Sequence, residues 1–164
     1  MNYPGSRKGD DFDLFGSVRV DDPYRWMEDL DSPEVAAWVA AQNAITHAHL
    51  QSLPLRQHFT ERLTRLWDYP RTGLPAIENG RLFYARNSGL QKQAPIYMRT
   101  GVFDPPSIVL DPNQLSPDGT TSVSQFMPSP DAKWLAYAAA RGGADWETVR
   151  VRNVATGADL DDAI

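Results

Sequence analysis

The hydrophobic period of this chain changes near residue 70, and that change limits what it can fold into. Up to that point apolar residues recur at steps of three and four. Leu55, Phe59, Leu63, Leu66 and Trp67 make one such stripe, the mark of an amphipathic helix. From about residue 72 the period is two. RLFYARNS (81–88), PIYMRTG (95–101) and SIVLD (107–111) read as short strands separated by turns rich in Gly, Ser and Pro. A second set follows, SVSQFM (122–127), KWLAYAAA (133–140) and TVRVRNV (148–154), with turns at PSPDA (128–132) and RGGADW (141–146). The two sets echo each other at roughly the ~40-residue spacing of propeller blades. The expected class is therefore α+β, helices first and antiparallel β-structure after them.

The helical part divides in two. Ser32 is a good N-cap, and Pro33 suits the first helical position, where its missing N–H costs nothing. Val35, Trp38, Val39 and Ile45 follow at helical spacing, with Leu53 near the end. Pro54 breaks the run and starts a second helix, which stops at Asp68-Tyr69-Pro70 because the residue before proline disfavours the helical region. An αα-hairpin over 32–69 is expected.

Residues 1–31 show no clear period. The Asp-Asp run at 10–11 and Pro23 suggest an extended arm whose aromatics, Phe12, Phe15, Tyr24 and Trp26, need burial against something else. Within it, DDPYRWMEDLD (21–31) packs five carboxylates into eleven residues. General acid–base pairs need two carboxylates in different environments flanking a substrate, not a contiguous strip. Asp31 and Glu34 sit where the helix dipole favours negative charge, and Asp22 before Pro23 is a turn dipeptide. Tyr24, Trp26 and Trp38 are amphipathic anchors, able to bury a ring and keep one hydrogen bond. The strip is read as a structural joint.

Composition excludes several functions. A net charge of −5 with scattered cations argues against nucleic acid as the main partner. The absence of cysteine removes disulfides, thiolate nucleophiles and Cys-containing zinc sites. The N-terminus has no apolar signal region and no apolar run approaches ~18 residues, so no membrane association and a cytoplasmic location are expected.

A search for chemistry finds none. No serine has glycine two residues away on both sides, so the nucleophile elbow is missing. His47 and His49 lie two apart on a helix and point to nearly opposite faces; with His58 they read as solvent-facing or packing residues. SPDGTTS (116–122) lacks the alternating acidic ligands of a calcium loop and reads as a turn. DLDDAI (159–164) reads as a solvated tail or linker. No metal and no cofactor are expected.

Taken in order, several stretches resemble the N-terminal part of the prolyl oligopeptidases, the S9 family of serine peptidases. They are DDPYRWMEDLDS with AWVAAQN (37–43), YP at 69–70, SGLQKQAPIY (88–97), VLDPNQLSPDGTTS (109–122) and SPDAKWLAYAAARGGADWETVRV (129–151). Departures are small: Met27 and Leu30 stand where Leu and Pro are expected, and Ala132 where propeller turns often carry Gly.

The resemblance implies an α/β-hydrolase domain built from both ends of a longer chain, with a seven-bladed β-propeller inserted. Residues 1–70 would be the arm and helices that pack on the catalytic domain, and 71–164 the first blade and most of the second. The catalytic Ser, Asp and His would all lie beyond Ile164, so no catalytic residue is placed here. The whole enzyme would cleave short peptides after proline through an acyl-enzyme. The resemblance would let the loop RGGADW face the internal cavity, with Asp145 adding negative potential there; the reading preferred over it is a turn Asp bonding its own backbone. Alone, the chain is expected to be poorly soluble or molten, and inactive. A free-standing binding or accessory module derived from the family is the second reading, and an unrelated propeller scaffold the third.

Overall fold

A computed structural model describes residues 3–164; Met1 and Asn2, the start of the expected arm, lie outside the described residues. The chain forms two compact units, one ending at Glu61 and one beginning at Arg62.

The first unit departs from the expected extended arm. Strands β1 (Phe12–Phe15) and β2 (Val18–Asp21) form an antiparallel hairpin, with Phe12 opposite Asp21 and Phe15 opposite Val18. The two-residue turn places Gly16 at φ +65° with open space around it. The requirement there is backbone conformation, as in hairpin turns with glycine at the first central position. The hairpin escaped notice because every one of its strand residues is exposed, so the pattern carries no buried face. A single 3-10 turn at Arg25–Glu28 leads to helix α1 (Pro33–Ser52). Its start is as expected: the Ser32 side chain accepts a hydrogen bond from the backbone N–H of Glu34, with Pro33 at the first position.

Helix α2 (Arg56–Trp67) follows after a short link containing Pro54. Both helices are where the sequence put them. No residue of α2 is buried, and Phe59, Leu63, Leu66 and Trp67 are each more than half exposed. Of α1 only Val35 is buried. The α2 stripe is therefore left open by this chain.

The second unit is antiparallel β-structure. β3 (Arg71–Thr72) and β4 (Ala76–Glu78) both pair with β5 (Arg81–Asn87), one edge interrupted at Gly73-Leu74-Pro75. β6 (Ile96–Arg99) and β7 (Ser107–Leu110) complete a five-stranded sheet. β8 (Thr121–Pro128), β9 (Trp134–Arg141), β10 (Glu147–Asn153) and β11 (Asp159–Ala163) form a four-stranded meander in sequence order. The six strands expected from the period-two runs are all present within one or two residues of their expected ends.

β11 corrects the reading of DLDDAI as a tail: it forms the fourth strand of the second sheet. Its polar residues are those of an edge strand exposed along nearly its whole length, so hydrophobic alternation could not announce it. What holds it is pairing with β10 and a turn at 154–158. There the Asn153 side chain accepts from the N–H of Ala155 and of Thr156.

Phe83, Ile96, Val109 and Leu110 from the five-stranded sheet pack against Ala132, Leu135 and Tyr137 of the other. Each fully buried large side chain contributes about 1.5–3 kcal/mol. Alternation along β9 assigns the faces: Leu135 and Tyr137 enter this core, while Trp134, Ala136 and Ala138 turn to the other side.

Candidate functional site

Two of the five carboxylates of the acidic strip, Asp21 and Asp22, are ion-paired. Arg25 pairs with both Asp13 and Asp22, the latter at 3.0 Å, and Arg19 pairs with Asp21 at 2.7 Å. Hydrogen bonding by Asp22 raises the Arg25 pKa. Glu28, Asp29 and Asp31 are exposed at the surface. No group of three potential metal ligands exists among the described residues.

Trp26 and Trp38 meet edge to face, ring centroids 6.4 Å apart. Their indole N–H groups reach back to the start of the chain. Trp26 donates to the carbonyl of Arg7 at 2.9 Å, and Trp38 to the Ser6 hydroxyl at 2.9 Å. The Arg7 guanidinium lies over the Trp26 ring and forms two bonds with Glu34, whose pKa the pairing lowers. Gln42, one turn beyond Trp38, donates to the carbonyl of Pro4. These contacts strap residues 4–7 along the Val35–Trp38–Gln42 face of α1. Tyr24 stays 41% exposed and takes no part in the strap.

Asp145 is exposed in the β9–β10 loop, and no hydrogen bond ties its carboxylate to the surrounding backbone. His47, His49 and His58 are all exposed. The one serine–histidine hydrogen bond among the described residues runs from the Ser52 hydroxyl to the backbone carbonyl of His49 and involves no imidazole. The calcium-loop lookalike is a turn: Asp118 accepts from the N–H and hydroxyl of Thr120, and these bonds lower its pKa to about 2.

The best-built polar cluster was not singled out by the sequence. Arg152 holds Asp159 with two bonds of 2.7 and 2.9 Å, and Tyr137 donates to the same carboxylate at 2.9 Å. The Arg152 and Asp159 side chains are only 16% and 23% exposed. Hydrogen bonding from Arg152 lowers the Asp159 pKa, and the same bond raises that of Arg152. Burial, then the bond to Asp159, raises Tyr137. Arg152 also donates to the carbonyl of Val109 in β7 at 3.5 Å, and so ties the two sheets together. At the opposite loops Arg81 donates to the Ala132 carbonyl and Asn79 to that of Asp131. The only sequence signal was an arginine alternating with valine in TVRVRN.

A cavity of about 360 Å³ lies beside this cluster, lined by Thr121, Tyr137, Arg141, Thr148, Arg150 and Asp159. The cluster is saturated: each strong donor and acceptor in it has a partner. It can fix strand geometry, but it holds no nucleophile, and no base free to activate one.

Comparison with known proteins adds what this geometry lacks. Residues 4–164 match the family model described as prolyl oligopeptidase, N-terminal β-propeller domain. The chain is 29% identical over its full length to a prolyl endopeptidase of Elizabethkingia meningoseptica, covering 23% of that protein. Prolyl oligopeptidase dbiP of Dendrothele bispora is 38% identical over 87% of this chain and 21% of its own. A solved structure from a study of two prolyl endopeptidases superposes over 99% of this chain and 24% of that one. Its TM-score is 0.80 and its identity 35%. The chain thus spans about a quarter of the length of the relatives it matches.

Proposed function

The chain belongs to the prolyl oligopeptidase family through its N-terminal β-propeller domain, and from that premise we propose that it is the front of a proline-specific serine endopeptidase. The enzyme hydrolyses short peptides after proline, with Ser, Asp and His supplied by sequence beyond Ile164. Residues 1–70 pack on an α/β-hydrolase domain, and 71–164 form the opening blades of a seven-bladed ring located in the cytoplasm. One observation carries the reading: the match to prolyl endopeptidases runs through the strapped arm, the helices and both sheets without a break. An unrelated propeller gives no reason for the PYRWMED arm.

The outward-facing stripes support it. α2 keeps an apolar face open along its length, and Met127, Val149 and Leu160 are exposed on the four-stranded sheet. In this reading a catalytic domain and a third blade cover them. The β9–β10 loop faces the interior of the ring, and Asp145 adds negative potential there. Asp145→Asn is then expected to weaken KM for cationic peptides more than for neutral ones.

A second reading is a free-standing binding module. It is favoured by one finding: Trp26 and Trp38 are satisfied within the chain, so they do not of themselves require a further domain. The test is the mass of the native polypeptide, blotted with an antibody raised against residues 21–43. A band several times 18.3 kDa that cleaves a proline-containing peptide and is silenced by a serine-directed inhibitor supports the peptidase. A band at 18.3 kDa without activity supports the module.

A further inference from the structure

The face of the five-stranded sheet turned away from the other sheet carries polar groups that lack a counterpart. Cross-strand register puts Leu82 opposite Arg99, and Tyr84 opposite Tyr97. Thr72 lies opposite Arg86, and Ile108 opposite Tyr97, on that same face. The Tyr84 and Tyr97 rings stack at 5.9 Å, and the Arg99 guanidinium lies 5.7 Å from the Tyr84 centroid. A cavity of about 310 Å³ opens here, lined by Thr72, Pro75, Leu82, Tyr84, Arg86 and Arg99.

Tyr84 is only 7% exposed, yet its hydroxyl has no hydrogen-bond partner, and neither has Nε of Arg99. Arg99 satisfies only one of its terminal nitrogens, on the carbonyl of Val102. The Arg86 side chain makes no hydrogen bond or ion pair among the described residues. Guanidinium groups donate and never accept, so the two arginines cannot satisfy each other; the Tyr84 hydroxyl could accept from one of them but does not. The missing element is an acceptor, and beside two unpaired cations the favoured acceptor is a carboxylate, which takes several N–H and O–H donors at once.

We propose that this face is an interface for a β-sheet that brings an Asp or Glu side chain to Arg99, Tyr84 and Arg86. The occupant is the sheet that closes the propeller ring, supplied by the polypeptide outside this chain. The proposal rests on the peptidase reading above, because a ring gives every sheet a neighbour on both faces, and here one face is already taken by the four-stranded sheet. Ile108, 55% exposed on the same face, is the apolar part of the contact.

Thermal unfolding of the native protein that carries this chain tests both layers. Ile108→Asn, which puts a polar group under any covering sheet, is expected to lower Tm. Arg99→Met is expected to lower it by at least about 4 °C, with the deficit closing below pH ~4 as the carboxylate protonates. Arg86→Met, at a side chain exposed here, gives a smaller shift of the same sign and guards against a folding defect at Arg99. If Ile108→Asn lowers Tm while both arginine variants leave it unchanged or raise it, the carboxylate is refuted and the covering sheet stands. If Ile108→Asn has no effect, no sheet covers this face, and the ring reading falls with the proposal.

Discussion

Replacing Asp159 by Asn tests whether the Arg152–Asp159–Tyr137 cluster is what holds the last strand to the second sheet. The substitution keeps shape and one acceptor oxygen but removes the charge. Arg152, at 16% exposure, then faces a neutral amide and loses its two-bond grip. Exposed ion pairs are worth about 0–1 kcal/mol and breaking a buried one costs about 3–5. A pair at 16% and 23% exposure lies between, so about 2–3 kcal/mol is expected. The readout is hydrogen–deuterium exchange at the β10–β11 amides, where Val149 and Ile164 exchange backbone bonds. That free energy corresponds to an increase in exchange of about 30- to 150-fold at those sites. The pH dependence has a definite sign. The Asp159 pKa is lowered in the folded chain, so its contribution is complete above the ordinary carboxylate value of ~3.9 and is lost as pH falls through the folded value. The gap between the Asp159→Asn variant and the natural protein should therefore be full at pH 7 and close in acid. Adding Arg152→Met to the Asp159→Asn change should recover much of the loss, since the stranded cation is gone. Less than a threefold change at pH 7, or a gap that does not narrow as pH falls below ~3.9, refutes the reasoning.

Three further outcomes follow from named contacts. Trp38→Phe keeps the ring but loses the bond to Ser6, worth about 1 kcal/mol; trypsin cleavage after Arg7 or Lys8 should accelerate about fivefold. Ala132 is fully buried at φ +56°, where a β-branched side chain is a steric outlier. Ala132→Val should cost more than about 3 kcal/mol in urea unfolding, while Ala132→Gly stays within about 1 kcal/mol of the natural protein, relief of strain offsetting the lost methyl. The chain expressed alone should hydrolyse no proline-containing peptide and should bind a hydrophobic dye at its open faces; a soluble, dye-silent monomer would count against those faces needing cover.

Strands were legible wherever one face enters the core. RLFYARN and WLAYAAA alternate because Phe83, Leu135 and Tyr137 must point one way, and every such run became a strand. Legibility failed for elements with no buried face. FDLF-GS-VRVD carries a hairpin signal in its Gly-Ser turn, but its strands bury nothing in this chain. DLDDAI is held by backbone pairing and one carboxylate. The joint at Trp26 and Trp38 was proposed from residue type. Its partners, the carbonyl of Arg7 and the hydroxyl of Ser6, were not, because hydrogen bonds across 19 and 32 residues leave no periodic trace.

The same physics separates the two kinds of apolar stripe. The α1 face through Val35 and Trp38 is covered by residues 4–7 of its own chain, whose short polar groups meet the indole N–H donors. The α2 stripe through Phe59, Leu63 and Leu66 has no polar handle and no such strap, and stays more than half exposed. Periodicity alone assigns both to a buried face and cannot say what buries them. The polar atoms decide: where donors find acceptors nearby the cover is local. Where an apolar stripe lacks cover, or buried donors such as Tyr84 and Arg99 lack acceptors, the complement lies on a surface that these residues do not supply.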